Sequence, residues 1–410
     1  MSLHIVVIND ASTARGGATG LALLSARLMR DRGHRVTLFA GDEGSNPSLT
    51  AAGVEVVATG GTRLLHQPKV QAVTRGLYNT ATRNALAAWI AANDSPETVY
   101  HVHGWGQILS PSIFAALQPV APRTVTHAHD FFLACPNGVF THYKTASPCR
   151  LRPLSIACLT SNCDKRSYPH KLWRVARTAA LRRSFDQSLN WGAIAIIHPD
   201  MAPMMELAGY ARDRMMLLRN PVTPYSDTRI PAEDNNRLFY IGRIEPDKGV
   251  GDLVAAAVQA EMPLTVIGEG SERAALSAAY PDVTFTGWKS HEEIAHLVQG
   301  ARGVAMASRH GEPFALVVAE ASQSGLPVIL SDSALLASEV VAKGLGYACD
   351  IRVPGALRQT IARLRDAPTD EVRAMSTRAF ARTAPLAQAP NGWADELEAL
   401  YHRVLQTQRF

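Results

Sequence analysis

Short apolar segments and longer amphipathic ones alternate along this chain. Residues 4–9 (HIVVIN) have the pattern of a buried strand, and a glycine-bearing loop at 14–20 follows. A helical pattern then runs to Gly33, a residue suited to end a helix, and a second strand is expected at 35–41. Strand, loop, helix and strand in this order form the unit of a parallel sheet with crossover helices.

The same alternation continues through both halves of the chain. In the first half, strands are expected at 54–58, 98–104, 123–130, 193–199 and 215–222, and helices near 70–92, 111–118 and 170–185. In the second half, strands are expected at 237–244, 263–270, 283–288, 303–308 and 326–332 with helices between them, and an amphipathic helix at 392–407. The pattern predicts two doubly wound α/β domains.

Interruptions of this alternation define the domain organisation. Residues 223–236 are polar and contain two prolines, so we interpret them as a linker between an N-terminal domain at 1–222 and a C-terminal domain at 237–385. Residues 131–190 form an insert of the first domain. Residues 386–410 are expected to hold a C-terminal helix that crosses back to the first domain. Two facing domains of this kind would enclose a central cleft, where a ligand is expected.

Composition narrows the class of protein. The chain has 410 residues, of which 47% are hydrophobic and 19% charged, as in ordinary globular proteins. No segment offers about 18 uncharged apolar residues in a row, and the N-terminal segment has the pattern of a strand, with neither a cationic lead nor a small-residue cleavage site, so we expect a cytoplasmic protein. The net charge of +5 suits small anionic ligands or an anionic membrane surface. Nucleic acid is not expected, because the sequence contains no nucleic-acid-binding signature.

Two cations mark a possible phosphate site in the second half. Arg243 and Lys248 follow a predicted strand and precede a helix, whose free N–H groups and positive dipole end favour anions. Arginine binds phosphate through two parallel hydrogen bonds, and lysine acts as a point charge. The alternative is a pair of solvated surface cations, and position alone leaves both interpretations open.

Two carboxylates flank an apolar segment, GEPFALVVAE, at 311–320. Pro313 fits the first turn of a helix, so the helix is expected to begin at 313–315 and to end at Gly325. Glu312 would then lie at the start of the helix and Glu320 two turns later, about 12 Å away. That separation is too large for the paired acid and base of a glycosidase. It suits two contacts with one elongated ligand.

These segments together resemble the family 4 retaining glycosyltransferases, which have the GT-B fold. Glu312 and Glu320, with seven residues between them, match the EX7E motif of that family. Further segments resemble the family in the same order along the chain: GGAT, THAHD, LRNPV, GRIEPDKG, VIGEGSER, VTFTGW and a closing GW…LY helix. The resemblance implies transfer of a sugar from a UDP- or GDP-sugar to a glycan or lipid-linked acceptor, in cell-envelope or exopolysaccharide synthesis.

The resemblance also implies how individual residues act. It assigns the diphosphate to Arg243 and Lys248, the ribose hydroxyls to Glu320, and the transferred sugar to Glu312 and His129. Backbone contacts are implied for Phe314, Ala315 and Leu316, and a close approach of donor phosphate and acceptor at Gly16 and Gly17. Family members usually have glycine where Ala315 stands. The family needs no metal for transfer, which agrees with the absence of an Asp-x-Asp motif at a strand end.

Histidines and cysteines of the first half allow further interpretations. His127 and His129 share a face of their strand, so they are either hydrogen-bonded or ligands of a metal. Four cysteines lie within 29 residues of the insert, at Cys135, Cys149, Cys158 and Cys163. Their separations of 13, 8 and 4 residues differ from the CxxC pairs of typical zinc sites. A structural zinc on these cysteines and unligated thiols therefore both remain open.

The helix at 168–185 carries apolar residues and arginines, and the segment 140–185 has ten Lys or Arg against one acidic residue. Such a helix lies either on an anionic membrane surface or on an ordinary basic protein surface. The protein is thus expected in the cytoplasm or peripherally on the inner face of the membrane. Two functional alternatives to the transferase remain: a sugar-nucleotide epimerase or hydrolase of the same fold, and a non-catalytic nucleotide-binding partner protein.

Overall fold

A computed structural model describes residues 2–14 and 16–406. The chain divides into two compact units. The first unit contains Met1–Phe140, Arg150–Pro221 and Pro390–Phe410, and the second contains Thr141–Cys149 and Val222–Ala389.

The predicted strands are present in order along the chain, and short strands at 141–142, 147–148 and 346–349 were not predicted. In chain order they are β1 His4–Asn9, β2 Arg35–Ala40, β3 Glu55–Ala58, β4 Thr98–Val102, β5 Thr124–Ala128, β6 Thr141–His142, β7 Ser147–Pro148, β8 Ala193–Ile196, β9 Met215–Leu217, β10 Arg237–Ile241, β11 Leu264–Ile267, β12 Thr284–Gly287, β13 Ala301–Met306, β14 Val328–Ser331 and β15 Gly346–Cys349.

The α-helices lie between these strands and after the last of them. They are α1 Gly17–Asp31, α2 Pro47–Ala51, α3 Lys69–Leu77, α4 Thr80–Asn93, α5 Ser112–Leu117, α6 Ile156–Thr160, α7 Tyr168–Ser184, α8 Met201–Leu207, α9 Val250–Gln259, α10 Arg273–Ala279, α11 His291–Leu297, α12 Leu316–Gln323, α13 Ala337–Ala342, α14 Ala356–Asp366, α15 Thr369–Ala381 and α16 Pro390–Gln406.

The first unit is built on a parallel sheet. Within the described residues its strand order is β3-β2-β1-β4-β5-β8-β9. All residues of β1 and β4 are buried. Apolar residues on both faces of a strand are what a parallel sheet covered by helices on both sides requires. The order reverses between β1 and β4, and the loops that follow these two strands therefore border a crevice.

The second unit repeats this topology. Across the described part of the chain its sheet has the order β12-β11-β10-β13-β14-β15, and all its strands are parallel. The reversal lies between β10 and β13, so the crevice lies beyond the ends of those strands. Two loops pack tightly against each other here. A Cβ atom at Gly268 would lie only 1.9 Å from the carbonyl oxygen of Gly242, so this position has room only for glycine. The predicted α/β class is confirmed for both halves.

The expected helix near 70–92 is two helices, α3 and α4, and the single-helix prediction was wrong. Asn79 causes the break, because its side chain accepts a hydrogen bond from the N–H of Thr82 and caps α4. Tyr78, which precedes it, has an extended backbone.

Two further segments differ from the expected domain bounds. Tyr225, Ile230 and Ala232 of the predicted linker are buried, and the segment belongs to the second unit. Part of the predicted insert, Thr141–Cys149, also belongs to the second unit and forms the antiparallel pair β6–β7. Helix α16 belongs to the first unit, where Arg32 binds Asp395 and Glu398. Among the described helices we find none with the length and apolar character needed to span a membrane.

Candidate nucleotide-sugar site and histidine cluster

The predicted phosphate site lies at the crevice of the second unit. Arg243 and Lys248 lie in the segment after β10, and Glu312 lies in the segment after β13. Because β10 and β13 are the strands between which the sheet order reverses, these three residues occupy the ligand-binding edge of the sheet.

Glu312 and Lys248 form a buried ion pair. The Lys248 ammonium donates to Oε1 of Glu312, and the Ser308 hydroxyl donates to the same oxygen over 2.9 Å. The two charged side chains are only 18% and 12% exposed. Burial raises the pKa of the Glu312 carboxyl, but the charges of Lys248 and His310 and the hydrogen bonds outweigh burial and lower it. Glu312 is therefore a fixed anion at neutral pH.

Arg243 is an exposed cation beside this pair. Its backbone carbonyl accepts a 2.7 Å hydrogen bond from the Tyr240 hydroxyl, which fixes the loop. Among the residues that the structure describes, no partner is found for its guanidinium group. Arg243 is thus a cation available to an anionic ligand, whereas the Lys248 charge is shared with Glu312.

The helix after Glu312 begins later than predicted. Its first residue is Leu316, and Ala315 is the N-cap residue, without a side-chain cap. Pro313 therefore precedes the helix, and the expected start at 313–315 was too early. Glu312 does not lie on the helix, so the separation of about 12 Å derived from helical geometry does not apply to the two glutamates. The uncapped N–H groups of the first turn remain available to a ligand.

Glu320 lies inside α12 and is held by a residue of the predicted linker. The Tyr225 hydroxyl donates a 2.8 Å hydrogen bond to Oε2 of Glu320. Burial raises the pKa of Glu320, while the Tyr225 hydrogen bond and the charge of His291 oppose the increase. The Tyr225 N–H also donates to the Ser324 hydroxyl over 2.8 Å. Sequence reasoning missed Tyr225, because the polar segment around it has the composition of a linker.

The β6–β7 hairpin lies beside Glu312. Thr141 accepts a 3.1 Å hydrogen bond from the N–H of Gly311, and the ring of Tyr143 lies 6.0 Å from that of His310. His310 Nε2 lies 3.4 Å from Oε1 of Glu312. His310 and the hairpin were not singled out from the sequence. The histidine two positions before Glu312 was the available signal.

Gly16 and Gly17 lie at the crevice edge of the first unit, after β1. Gly16 precedes α1 with a φ of 145°, a region that favours glycine, and its carbonyl accepts from the N–H of Gly20. Gly17 is the first residue of α1. The prediction that the loop extends to residue 20 was therefore wrong, because α1 begins four residues earlier. A cavity of about 590 Å³ adjoins this loop and is lined in part by Thr13, Ala14, Arg27 and Asn46.

His129 belongs to a cluster of four histidines in the first unit. Its Nε2 lies 2.9 Å from Nδ1 of His103, and its ring stacks on that of His127 at 4.1 Å. Nε2 of His101 lies 3.3 Å from Nδ1 of His127, which makes His101 the fourth member of the cluster. The other ring nitrogen of His101, Nδ1, lies 2.7 Å from the Tyr401 hydroxyl. Burial lowers the pKa values of all four, to about 3 for His101 and His129.

The cluster also bears on the metal interpretation. His101, His103 and His127 could hold a metal ion by distance. Among the described His, Cys, Asp and Glu residues, they form the group whose potential ligand atoms all lie within 4.8 Å of one another. The nitrogens of His101 and His127 face each other across nearly parallel rings, at an interplanar angle of 12°. That is the geometry of a hydrogen bond between ring edges.

Three of the four clustered cysteines are buried in the first unit around a lysine. The Lys171 ammonium donates to the sulfur atoms of Cys163 and Cys158 over 3.1 and 3.5 Å. Asn137 lies between Cys135 and Cys163, within hydrogen-bond distance of both sulfur atoms. Cys149 belongs to the second unit. A lysine charge thus lies against two of the thiols, and the structural zinc on the four cysteines stays a prediction.

Comparison with known families adds an independent result. Residues 226–382 match the family model described as glycosyl transferases group 1. A GDP-mannose-dependent alpha-mannosyltransferase of Mycobacterium tuberculosis (strain CDC 1551 / Oshkosh) is 37% identical over 94 residues, which are 23% of this chain and 25% of that protein. Glycogen synthase of the same strain is 29% identical over 178 residues, 40% of this chain and 42% of that protein. The matched regions thus span less than half of these curated relatives.

Solved structures resemble the chain over nearly its full length. Sucrose-phosphate synthase from Thermosynechococcus elongatus has a TM-score of 0.73 at 17% identity, over 99% of this chain and 100% of that one. Anabaena HepE in complex with UDP and glucose has a TM-score of 0.65 at 15% identity, over 97% and 98% of the two chains. At these identities the likeness concerns the fold, and it confirms the predicted GT-B class.

Proposed function

We propose that this chain, whose residues 226–382 match the model of the glycosyl transferases group 1 family, transfers a sugar from a nucleotide-sugar to a glycan or lipid-linked acceptor. We propose further that the donor is a UDP- or GDP-sugar, that the anomeric configuration is retained, and that no metal ion is needed. The match of residues 226–382 supports the predicted glycosyltransferase class, whereas donor, stereochemistry and acceptor are proposals.

One observation carries the proposal. The buried Lys248–Glu312 pair and the exposed Arg243 lie together at the crevice edge of a doubly wound sheet, within the region matched by the family model. In a nucleotide-sugar, the diphosphate is an anion that the two cations can bind. The sugar beside it has neutral hydroxyl groups that can donate to the Glu312 carboxylate. The segment thus combines both kinds of contact that such a ligand needs.

Departure of the nucleoside diphosphate is the step that the cations would assist. Negative charge grows on the leaving phosphate as the bond to the sugar breaks, and fixed positive charge stabilises it most in the transition state. Arg243, Lys248 and the free N–H groups of the first turn of α12 supply that charge without a metal. Same-face attack by the acceptor, assisted by the leaving phosphate, would retain configuration and require no nucleophile from the protein.

Glu320 and its partner Tyr225 would hold the other end of the donor. Ionised Glu320 accepts hydrogen bonds, and the two ribose hydroxyls are donors at a suitable distance from each other for one carboxylate. The Tyr225 hydroxyl fixes Oε2 of this carboxylate over 2.8 Å. Glu312 and His129 are proposed to contact the transferred sugar, and Phe314, Ala315 and Leu316 to contribute backbone groups.

The acceptor is proposed to bind to the first unit near Gly16. The cavity of about 590 Å³ beside this loop is lined by the apolar side chains of Leu23 and Leu49, and Arg27 and Asn46 contribute polar groups. Such a site suits a glycan ring or the first sugar of a lipid-linked glycan better than a highly charged acceptor.

A donor screen tests the proposal. Thermal stabilisation by UDP, GDP and ADP identifies the base, and release of the nucleotide from the corresponding sugars then measures turnover with and without acceptor glycans. We expect stabilisation by UDP or GDP, acceptor-dependent release, an unchanged rate in EDTA and a product with the donor's anomeric configuration by NMR.

Variants separate the transferase from its rivals. Glu312→Gln should abolish turnover and retain nucleotide binding, since the cations remain. Lys289→Ala is a matched control, because Lys289 pairs with Glu293 on the exposed surface of the same unit. Acceptor-independent product would favour an epimerase or hydrolase. Nucleotide binding without turnover on any donor would favour a non-catalytic protein.

We propose that the first unit also contacts an anionic membrane, through a surface different from the one expected. On α7 itself, Leu172 is exposed, whereas Trp173 donates a 3.1 Å hydrogen bond to the Val73 carbonyl of α3. Large apolar side chains that are more exposed than Leu172 lie before and on α3, with Leu65 at 69% and Val70 at 76% exposed, and on α6, with Ile156 at 81% exposed. Residues 56–93 contain four Lys or Arg and no acidic residue. Exposed aliphatic groups in a segment that carries cations and no acidic residue suit an anionic lipid surface.

Vesicle sedimentation tests this surface. We expect binding to vesicles that contain phosphatidylglycerol and not to phosphatidylcholine alone. Val70→Glu should reduce it, and the control Val341→Glu, at a residue 54% exposed in the second unit, should not. Equal effects of both substitutions would refute the assignment of the surface to α3.

A further inference from the structure

In the four-histidine cluster, one serine hydroxyl determines which ring nitrogens donate hydrogen bonds and which accept them. Ser25 lies in α1 and is fully buried, and its Oγ lies 2.7 Å from the Ala22 carbonyl oxygen. A carbonyl oxygen only accepts, so the single hydroxyl proton of Ser25 is used in this contact. Ser25 can then only accept at its other contact, with Nε2 of His103 at 3.3 Å.

That constraint fixes the protonation of His103. Its Nε2 must carry the proton that Ser25 accepts. A neutral imidazole has one N–H, so Nδ1 of His103 is the unprotonated nitrogen. The pKa of His103 lies well below its usual value because of burial and the neighbouring histidines, so the ring is neutral at physiological pH.

The constraint passes from His103 to His129. Nδ1 of His103 has a lone pair directed at Nε2 of His129, 2.9 Å away. Nε2 of His129 must therefore be the donor, and Nδ1 of His129 is left as an acceptor. This Nδ1 is buried and is an atom for which the described residues provide no partner.

The contacts of His101 and His127 lead to the same assignment of ring protons. Nε2–H of His103 also faces Nδ1 of His101 at 3.2 Å, so that nitrogen is unprotonated and accepts from the Tyr401 hydroxyl over 2.7 Å. Nε2 of His101 then donates to Nδ1 of His127 over 3.3 Å. Each ring thus carries its proton on Nε2.

We propose that Ser25 and His103 are positioning residues that hold His129 in the neutral Nε2–H tautomer, so that its Nδ1 accepts a hydrogen bond from a hydroxyl group of the bound sugar. The inference rests on the proposed function for the identity of the ligand. A His129 ring in the other tautomer, or protonated, would present N–H and repel a hydroxyl hydrogen. Two residues outside the sugar site thus select a ligand group that donates.

The tautomer can be tested without any turnover. Histidine labelled with ¹⁵N gives long-range proton–nitrogen correlations that distinguish the two ring nitrogens, and the spectrum of His129→Gln identifies the His129 signals. We expect His129 protonated on Nε2 in the wild type and a mixture of tautomers in Ser25→Ala. Tyr401→Phe is the matched control, because it removes a hydroxyl from the other branch and should leave the His129 signals unchanged. A wild-type His129 protonated on Nδ1 would overturn the proposal.

Kinetics test the consequence for the sugar. With the donor found active in the screen, Ser25→Ala should lower kcat by about five- to tenfold, the scale of one neutral hydrogen bond, with little change in the donor KM. His103→Gln keeps an acceptor oxygen for His129 and should retain more activity than His103→Leu. If the tautomer changes in Ser25→Ala while kcat does not, the positioning role fails and the transferase survives. If no donor is turned over, the proposed function fails and the spectra still decide the tautomer.

A metal measurement gives a second decisive outcome. Zinc held by His101, His103 and His127 would occupy a ring nitrogen of His103, which the hydrogen-bond chain uses on both sides. Zinc content is measured on the purified full-length wild type and on His101→Gln. We expect the two proteins to contain the same amount of zinc. One equivalent of zinc lost in that variant would overturn the hydrogen-bond chain.

Discussion

The two units have the same strand order at their crevices but place opposite kinds of polar groups there. In the second unit, the segments after β10 and β13 carry Arg243, Lys248 and ionised Glu312. In the first unit, the histidines after β4 and β5 are neutral, because burial lowers their pKa values.

This difference shows that topology determines where a ligand binds and that side chains determine its chemistry. Fixed charges suit the phosphates and the developing negative charge of a leaving group. Neutral rings in a directed hydrogen-bond chain suit a sugar hydroxyl, whose recognition needs an acceptor at a defined position. The proposed donor contains both kinds of group.

After Glu312→Gln, the largest effect is expected from a substitution that removes the positive charge shared between Lys248 and its partner in the second unit. Lys248→Ala should lower kcat/KM by about 10²- to 10³-fold, because it deletes a preorganised cation from the leaving-group site. Steady-state kinetics with the active donor measure the change. The control Lys289→Ala should stay within about twofold, as expected for an exposed ion pair. Equal losses in the two variants would remove the contrast between the charged crevice and an ordinary basic surface.

A smaller effect is expected on the pH dependence of donor binding, which should change with substitutions in the second unit and not with those in the first. Burial raises the pKa of Glu320, and the Tyr225 hydrogen bond opposes the increase. As the pH falls through this pKa, Glu320 gains a proton and loses its capacity to accept from the ribose. Tyr225→Phe should raise the pKa further, so that loss of donor affinity begins at a higher pH than in the wild type. Calorimetric Kd values between pH 5 and 8 check this.

Tyr401→Phe serves as the control from the first unit. Its histidine neighbour His101 has a pKa of about 3 and is neutral throughout that range. The pH profile of donor binding should therefore match the wild type. Parallel profiles for Tyr225→Phe and the wild type would contradict the assigned contact with Glu320.

The smallest expected effect concerns the N-cap residue of α12. Ala315 is buried, and its φ of −94° and ψ of 86° need no glycine. Ala315→Gly should change kcat/KM by less than about threefold and reduce stability by about 0.5–1 kcal/mol, because glycine loses more backbone entropy on folding. Thermal denaturation and kinetics measure both. A large gain in activity would mean that the alanine side chain obstructs the donor.

Much of the fold could be predicted from the chain, because apolar periodicity is a local property. Strands β1, β2 and β10 lie within a residue or a few of their predicted ranges. Errors occurred where one side chain decides a boundary, as at Asn79, or where loop conformation decides it, as before Leu316. The motif at 312–320 predicted site residues of the second unit, but the helical distance between its glutamates was not valid.

The sequence by itself determined the two α/β halves and the cations and carboxylates of the second one, since periodicity and motif spacing are set by residue order. Tertiary structure alone decided which distant residues support them. Tyr225 reaches Glu320 across 95 positions, and Ser25 reaches His103 across 78. The reason is physical: a hydrogen bond needs two atoms about 3 Å apart, and only the packed sheet and helices bring such positions together.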